Sequence, residues 1–263
     1  MNWAALLEAI IPACWEAGAA IRDIRRRGFE HSLKSDLSPV TEADHAAEAI
    51  LLRALAAAAP EIAVVAEEEV AAGRVPALGD CFFLVDPLDG TKEFVRGGDD
   101  YTVNVGLVTR NGPILGIVLA PEQQRLFAGN VGEGAFVEEQ GRRRSIRVRE
   151  RPTTLSVVGS KSHFNRATLS YLESVVPDCR FVGVGSSLKF CIVAEGGADF
   201  YPRLSPTSEW DTAAGHAVLL AAGGLVDGPD GTPLEYGKTN FINAGFAATS
   251  GWKAEPVGRF LEA

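Results

Sequence analysis

Cysteine is scarce in this chain of 263 residues: Cys14, Cys81, Cys179 and Cys191 are the only four, far apart and with no Cys-x-x-Cys pair. That spacing argues against a disulfide scaffold and a thiolate metal or redox motif, and leaves buried, reduced thiols. Histidine is as rare, and His31, His45, His163 and His216 include no two at zinc-ligand spacing. Positive charge is in deficit. With a formal net charge of −9, no basic field steers a nucleic-acid polymer or an anionic membrane to the surface. The N-terminal stretch is rich in alanine and leucine, but Glu8, Pro12 and Glu16 interrupt it. Neither a signal h-region nor a span of about 20 residues is expected there. Internal repeats and low-complexity tracts are lacking as well.

What remains is a soluble globular class, with 46% hydrophobic and 22% charged residues and 28 glycines for tight turns. A cytoplasmic location is expected, with peripheral association at the cytoplasmic face of the inner membrane as a further option. A composition break near Arg151-Pro152 divides the chain into an α+β half, 1–151, and an α/β half, 152–263. An acidic protein handling a small anion needs local help, and divalent cations on carboxylates supply it.

Residues 3–26 read as an amphipathic helix ending in Arg25-Arg26-Arg27 and Gly28, although Pro12 weakens it. Thr41-Glu42-Ala43-Asp44 has the form of a capping box opening a helix to about Ala58. Ile62 to Ala66 reads as a short strand followed by Glu67-Glu68-Glu69, and residues 71–79 as a loop. Tyr101–Val108, Ile114–Ala120 and Arg125–Gly129 read as a meander, with Arg142-Arg143-Arg144 on its last turn as solvated edge protection. In the second half the pattern predicts strands at Leu155–Gly159, Phe181–Val184 and Ala198–Tyr201. It predicts helices over 165–176, from Gly185-Ser186-Ser187-Leu188-Lys189 onward, and over Asp211–Ala222 before Gly223-Gly224.

The chemistry concentrates in Leu84-Val85-Asp86-Pro87-Leu88-Asp89-Gly90-Thr91. An apolar strand delivers two carboxylates to a turn in which Pro87 fixes φ and Gly90 allows a sharp bend with exposed amides. Hard oxygen ligands stand beside phosphate-binding amides. Other residues read blandly on their own, Asp44 as a helix-start acid, Glu67 to Glu69 as a solvated turn and Asp211 as a cap, while the helix start Gly185 to Lys189 reads equally as an anion site of free amides with a lysine or as a serine N-cap with a surface lysine.

Together, Glu67-Glu68, Asp86-Pro87-Leu88-Asp89-Gly90-Thr91 and Trp210-Asp211-Thr212-Ala213-Ala214-Gly215 resemble the lithium-sensitive, magnesium-dependent inositol monophosphatase superfamily. Lys92-Glu93-Phe94, the run Gly185 to Gly196 and Tyr201-Pro202-Arg203 resemble its bisphosphate nucleotidase branch. The likeness covers nearly the whole chain. It implies a layered α/β/α/β/α sandwich with the active site between the halves, and two or three Mg2+ ions held by Glu67, Asp86, the Leu88 carbonyl, Asp89 and Asp211. Mg2+ takes oxygen ligands and keeps waters, which suits a few carboxylates completed by a substrate phosphate. By the same resemblance Thr91 orients the attacking water with Glu67, Asp44 fixes the Thr91 hydroxyl, and the Gly90 and Thr91 amides hold phosphate oxygens. Ser186, Lys189, Arg203 and His163, with Asp211, match nucleotide-binding positions. The implied reaction is hydrolysis of the 3'-phosphate of adenosine 3',5'-bisphosphate, and of 3'-phosphoadenylyl sulfate. Inhibition by lithium and calcium goes with it. Inositol monophosphatase or a related sugar phosphatase is the competing enzyme reading, and an inactive nucleotide-binding sensor the competing reading from another class.

Overall fold

The computed structural model describes residues 1–33, 39–160 and 165–261. Helix α1 (Trp3–Arg27) runs through Pro12 and is capped by Asn2, whose side chain accepts from the Ala5 amide. Strands β1 (His31–Leu33) and β2 (Pro39–Thr41) pair antiparallel, and α2 (Glu42–Ala58) follows. Strand β3 (Ala63–Ala66) enters α3 (Glu67–Ala71), so the three glutamates expected in a turn start a helix. Next come β4 (Cys81–Asp89), α4 (Thr91–Val95) and the strands β5 (Thr102–Thr109), β6 (Gly112–Ala120), β7 (Arg125–Asn130), β8 (Gly134–Glu139) and β9 (Arg142–Ile146). The last two strands extend the meander beyond its expected end. The three arginines lie on edge strand β9 rather than on a turn, where Arg143 pairs with Glu8 and Glu138 and Arg144 with Glu195.

The chain then gives β10 (Ser156–Ser160), α5 (Arg166–Val175), β11 (Arg180–Val184), α6 (Leu188–Ala194), β12 (Phe200–Arg203), β13 (Thr207–Ser208) and α7 (Trp210–Ala221). It closes with β14 (Leu225–Asp227), β15 (Ile242–Asn243), β16 (Phe246–Thr249) and α8 (Gly258–Leu261). Among the described residues β3 to β9 form one sheet in sequence order, parallel at β3–β4 and antiparallel beyond. A second sheet has the order β11-β10-β12-β16-β14. The sheets change between β9 and β10, the interval that contains Arg151-Pro152.

Five layers result. One apolar cluster joins α1 and α2 to the first sheet, a second fills the space around α6 and α7 between the sheets, and a third packs α5 and α8 on the outer face of the second sheet. Strand β4 is apolar throughout because both faces are covered: Phe83 and Val85 turn to the first cluster, Phe82 and Leu84 to the second. Helix α1 is long and apolar enough to cross a membrane by length and composition, contrary to the expectation from its interruptions. Half of that apolar window is buried inside the fold, as in a core helix.

Candidate active site

The expected turn at Asp86 to Asp89 is a bulged continuation of β4. Asp86 lies opposite Asn104 and Asp89 opposite Thr102, so three steps on β4 match two on β5. In a regular strand residues three apart face opposite ways; the extra residue brings both aspartates to the same side as Thr102 and Asn104. Asp86 is 2% exposed and its Oδ1 accepts the Leu88 amide at 3.0 Å. Gly90 then turns the chain at φ +96° into α4, where a Cβ would sit 3.0 Å from the Asp100 carbonyl oxygen. Phe94 stacks on Phe29 and meets Tyr101 edge-on, which anchors the turn from below.

Asp44 has two tasks. Its Oδ2 accepts from the Thr41 amide (2.8 Å) and hydroxyl (2.7 Å), completing the capping box, while Oδ1 accepts the Thr91 hydroxyl at 3.1 Å. The Thr91 hydroxyl proton is shared with the Leu88 carbonyl at 3.0 Å. Glu67 arrives by register: β3 runs parallel to β4 with Ala66 beside Val85, so the next residue emerges beside Asp86. Asp211 sits in the first turn of α7 and accepts the Thr207 hydroxyl on Oδ2. That helix is held against the first sheet by glycines. A Cβ at Gly116 would lie 2.1 Å from the Ala214 carbonyl oxygen, so only glycine admits this approach.

From the second half, Ser186 has φ +51° at the entry to α6, and the Ser187 amide donates to Asp89 Oδ2 at 2.5 Å. The helix begins at Leu188; Ser187 gives it no side-chain cap, while the Ser186 hydroxyl accepts the Leu188 amide at 3.4 Å. Lys189 is not a surface lysine: it is 2% exposed, its ammonium donates to the Val184 and Ser186 carbonyls, and it stands 5.1 Å from the Tyr201 ring centroid. Arg203 donates to the Ser205 and Pro206 carbonyls. His163 lies outside the described residues.

A cleft of about 350 Å³ brings these groups together: Glu67, Asp86, Leu88, Asp89, Gly90 and Thr91 from the first half, and Ser186, Lys189, Arg203 and Asp211 from the second. Burial, then the charges of Glu67, Asp89 and Asp211, holds the Asp86 carboxyl well above its ordinary range. Burial and Asp211 lift Asp89 to about 7, against the pull of Lys189 and the Ser187 amide. Burial lowers Lys189 to about 8 despite the attraction of Asp89. Carboxylates that raise each other's proton affinity in a desolvated cleft form a cation site in want of positive charge. Among the described residues no three acidic, imidazole or thiol groups stand so as to hold a metal ion by themselves. An open set of oxygen donors fits a hard divalent cation that keeps waters and admits a phosphate. His216 does not line the cleft; its Nδ1 is 2.9 Å from the Tyr236 hydroxyl, and burial, which lowers its pKa to about 3, keeps it neutral.

The sequence profile of the inositol monophosphatase family matches residues 2–257. The chain belongs to the inositol monophosphatase family. Within that family it is 41% identical over 247 residues to the 3'(2'),5'-bisphosphate nucleotidase CysQ of Salmonella typhimurium, covering 93% of this chain and 99% of that one. The Buchnera aphidicola protein of the same name is 37% identical over 253 residues, covering 94% and 95%. Among solved structures, CysQ of Bacteroides thetaiotaomicron, described as a bacterial member of the family, superposes with a TM-score of 0.75 at 32% identity, covering 94% of this chain and 97% of that one. An inositol monophosphatase from Anabaena superposes with a TM-score of 0.77 at 26% identity, covering 100% and 97%. The layered fold is therefore that of the family, whose members are generally metal-dependent phosphatases.

Three side chains of this family member were not singled out from sequence, and Tyr201 entered only as part of a motif, without a role. Thr207 fixes Asp211, Tyr201 lines the cleft beneath Lys189, and Thr102 and Asn104 stand buried opposite the two aspartates. The signal for the last pair was available, since an asparagine inside the apolar run Tyr101 to Val108 has to find a partner.

Proposed function

We propose that this protein is a Mg2+-dependent 3'(2'),5'-bisphosphate nucleotidase. It removes the 3'-phosphate of adenosine 3',5'-bisphosphate to give AMP and phosphate, and accepts 3'-phosphoadenylyl sulfate as a second substrate. The carrying observation is one cleft in which Glu67, Asp86, Asp89 and Asp211 face Lys189 and Arg203. A bisphosphate nucleotide uses both groups, whereas inositol monophosphate has no second phosphate for the cationic pair. The activity named for the 41% identical relative supports the same reading.

Glu67, Asp86, Asp89, Asp211 and the Leu88 carbonyl would hold the ions; that carbonyl has a lone pair left after accepting from Thr91. When bound, the cations screen phosphate charge, activate the attacking water and stabilise the leaving oxygen. The protein does the rest by position. The Thr91 proton is committed to Asp44 and Leu88, which leaves the Thr91 oxygen as an acceptor facing the cleft. It accepts a hydrogen bond from the attacking water, and Glu67 accepts the other and takes that proton as the water attacks. The Gly90 and Thr91 amides donate to the transferring phosphoryl oxygens. Lys189 supplies a fixed charge for the 5'-phosphate, and Arg203 a forked donor set for that phosphate and the ribose, with Ser186 and His163 beside them. The reaction clears a by-product of sulfate assimilation in the cytoplasm.

Phosphate release with Mg2+ from adenosine 3',5'-bisphosphate, inositol 1-phosphate and fructose 1,6-bisphosphate tests the reading. The highest kcat/KM is expected on the nucleotide. A higher value on inositol 1-phosphate, or no release from any of them, overturns it.

A further inference from the structure

We infer that Asn104 and Ser187 are positioning residues that couple occupation of the carboxylate site to occupation of the nucleotide turn, acting through Asp89. The inference rests on the bisphosphate nucleotidase reading and deepens it.

Thr102, Asn104 and Ser187 are 0%, 0% and 3% exposed, and they join β5 of the first half to the entry of α6 in the second. Buried polar groups are costly unless paired, and these three pair with one another. The Ser187 hydroxyl donates to Asn104 Oδ1 at 2.6 Å and lies 2.8 Å from the Thr102 hydroxyl. A serine has one hydroxyl proton. Since Ser187 gives it to Asn104, Thr102 donates to Ser187, and the chain of hydrogen bonds runs in one direction. With the Asn104 carbonyl turned to Ser187, its amide group faces the other way and stands 3.5 Å from Asp89 Oδ2. That oxygen already takes the Ser187 amide at 2.5 Å. Both contacts fall on one oxygen of Asp89, which fixes the carboxylate at the cleft wall.

The same bonds fix the turn. Ser187 follows Ser186, a residue with a side chain held at φ +51°, where non-glycine residues are strained. Ser186 lines the cleft on the nucleotide side, and Asp89 lines it on the carboxylate side. A ligand that pulls on the Ser186 turn therefore moves the groups that aim Asp89, and a cation on Asp89 restrains the turn. Such coupling is reciprocal.

Calorimetric titration of the intact protein with Mg2+, with and without AMP, tests this independently of turnover. For the unsubstituted protein AMP is expected to tighten Mg2+ binding about fivefold or more. Ser187→Ala, which keeps the backbone amide, and Asn104→Ala should each weaken Mg2+ binding about tenfold, the usual effect of removing an outer partner of a ligand. Both should bring the AMP effect to within about twofold, and Ser187→Thr, which retains the hydroxyl, should restore it. If Ser187→Ala lowers the melting temperature but leaves Mg2+ affinity and the AMP response unchanged, the three residues only tie the halves together and the inference fails. If the unsubstituted protein binds Mg2+ but no AMP, the nucleotide reading itself fails and takes the inference with it.

Discussion

The protonation of the cleft carboxylates makes the metal-free protein lose stability as pH rises. Asp89 titrates at 3.8 in the unfolded chain and at about 7 in the fold. A carboxyl whose pKa is raised on folding stabilises the fold at low pH, where both forms or the folded form alone carry the proton. That contribution fades above the unfolded value and is gone once pH passes the folded one. From about pH 5.5 to pH 7 the folded form keeps a proton that the unfolded chain has lost, and 1.5 units at about 1.36 kcal/mol each give about 2 kcal/mol. Water reaches part of Asp89 at the cleft wall, so this figure is an upper one. Asp86 adds a contribution of the same sign. Lys189 acts oppositely but only above its folded value of about 8, which keeps it out of the window. For a chain of this size about 2 kcal/mol corresponds to about 4–8 °C. Thermal melts in chelator between about pH 5.5 and 7.5 should show the melting temperature falling by about that much. The slope should flatten in Asp89→Asn, and millimolar Mg2+ should raise stability more at the upper pH, because it binds the deprotonated carboxylates. A melting temperature that rises or stays flat across the window, or the same slope in Asp89→Asn, refutes the reasoning.

Asp44→Asn removes the charge that takes the Thr91 proton but keeps an acceptor for the helix cap. kcat should fall by about 10²–10³ while stability changes by about 1 kcal/mol, as steady-state kinetics and melts would show. A variant that loses stability without losing kcat would remove Asp44 from the chemistry. Lys189→Met keeps the buried stem and deletes the charge; KM for adenosine 3',5'-bisphosphate should rise about tenfold or more, with a smaller loss on a simple phosphate monoester. Equal losses on both contradict a role in holding the second phosphate. Gly116→Ala drives a methyl group into the backbone of α7 at Ala214. It should cost about 1–3 kcal/mol and weaken Mg2+ binding by displacing Asp211, measured by melts and calorimetry. Unchanged Mg2+ affinity in a folded Gly116→Ala protein would show that α7 is not what sets Asp211.

Much of this was legible before the structure, for local reasons. The capping box at Thr41 and Asp44 is contained in four residues, and the end of α7 needs only Gly223. Glu67 follows a short apolar strand as Asp86 does, but it was the family resemblance that joined the two. What stayed hidden depends on register and distance. The bulge that turns Asp86 and Asp89 to one side is a property of the β4–β5 pairing, so the sequence read only as a turn. On its own Lys189 read equally as an anion contact or a surface lysine, because the carbonyls that hold it come from a left-handed turn at Ser186. Strands β8 and β9 were missed because the glycines around them signal turns, and charged residues on an edge strand carry little alternation. Asn104 was visible as a polar residue in an apolar strand, but its partner Ser187 is 83 residues away.

Incubation of adenosine 3',5'-bisphosphate with the protein and Mg2+, with separation of the two possible monophosphates, tests the central claim most directly. If the carboxylate end of the cleft does the chemistry while Lys189 and Arg203 hold the other phosphate, 5'-AMP and inorganic phosphate are the products. Release of adenosine 3'-monophosphate, or an untouched substrate beside hydrolysed inositol 1-phosphate, would contradict it.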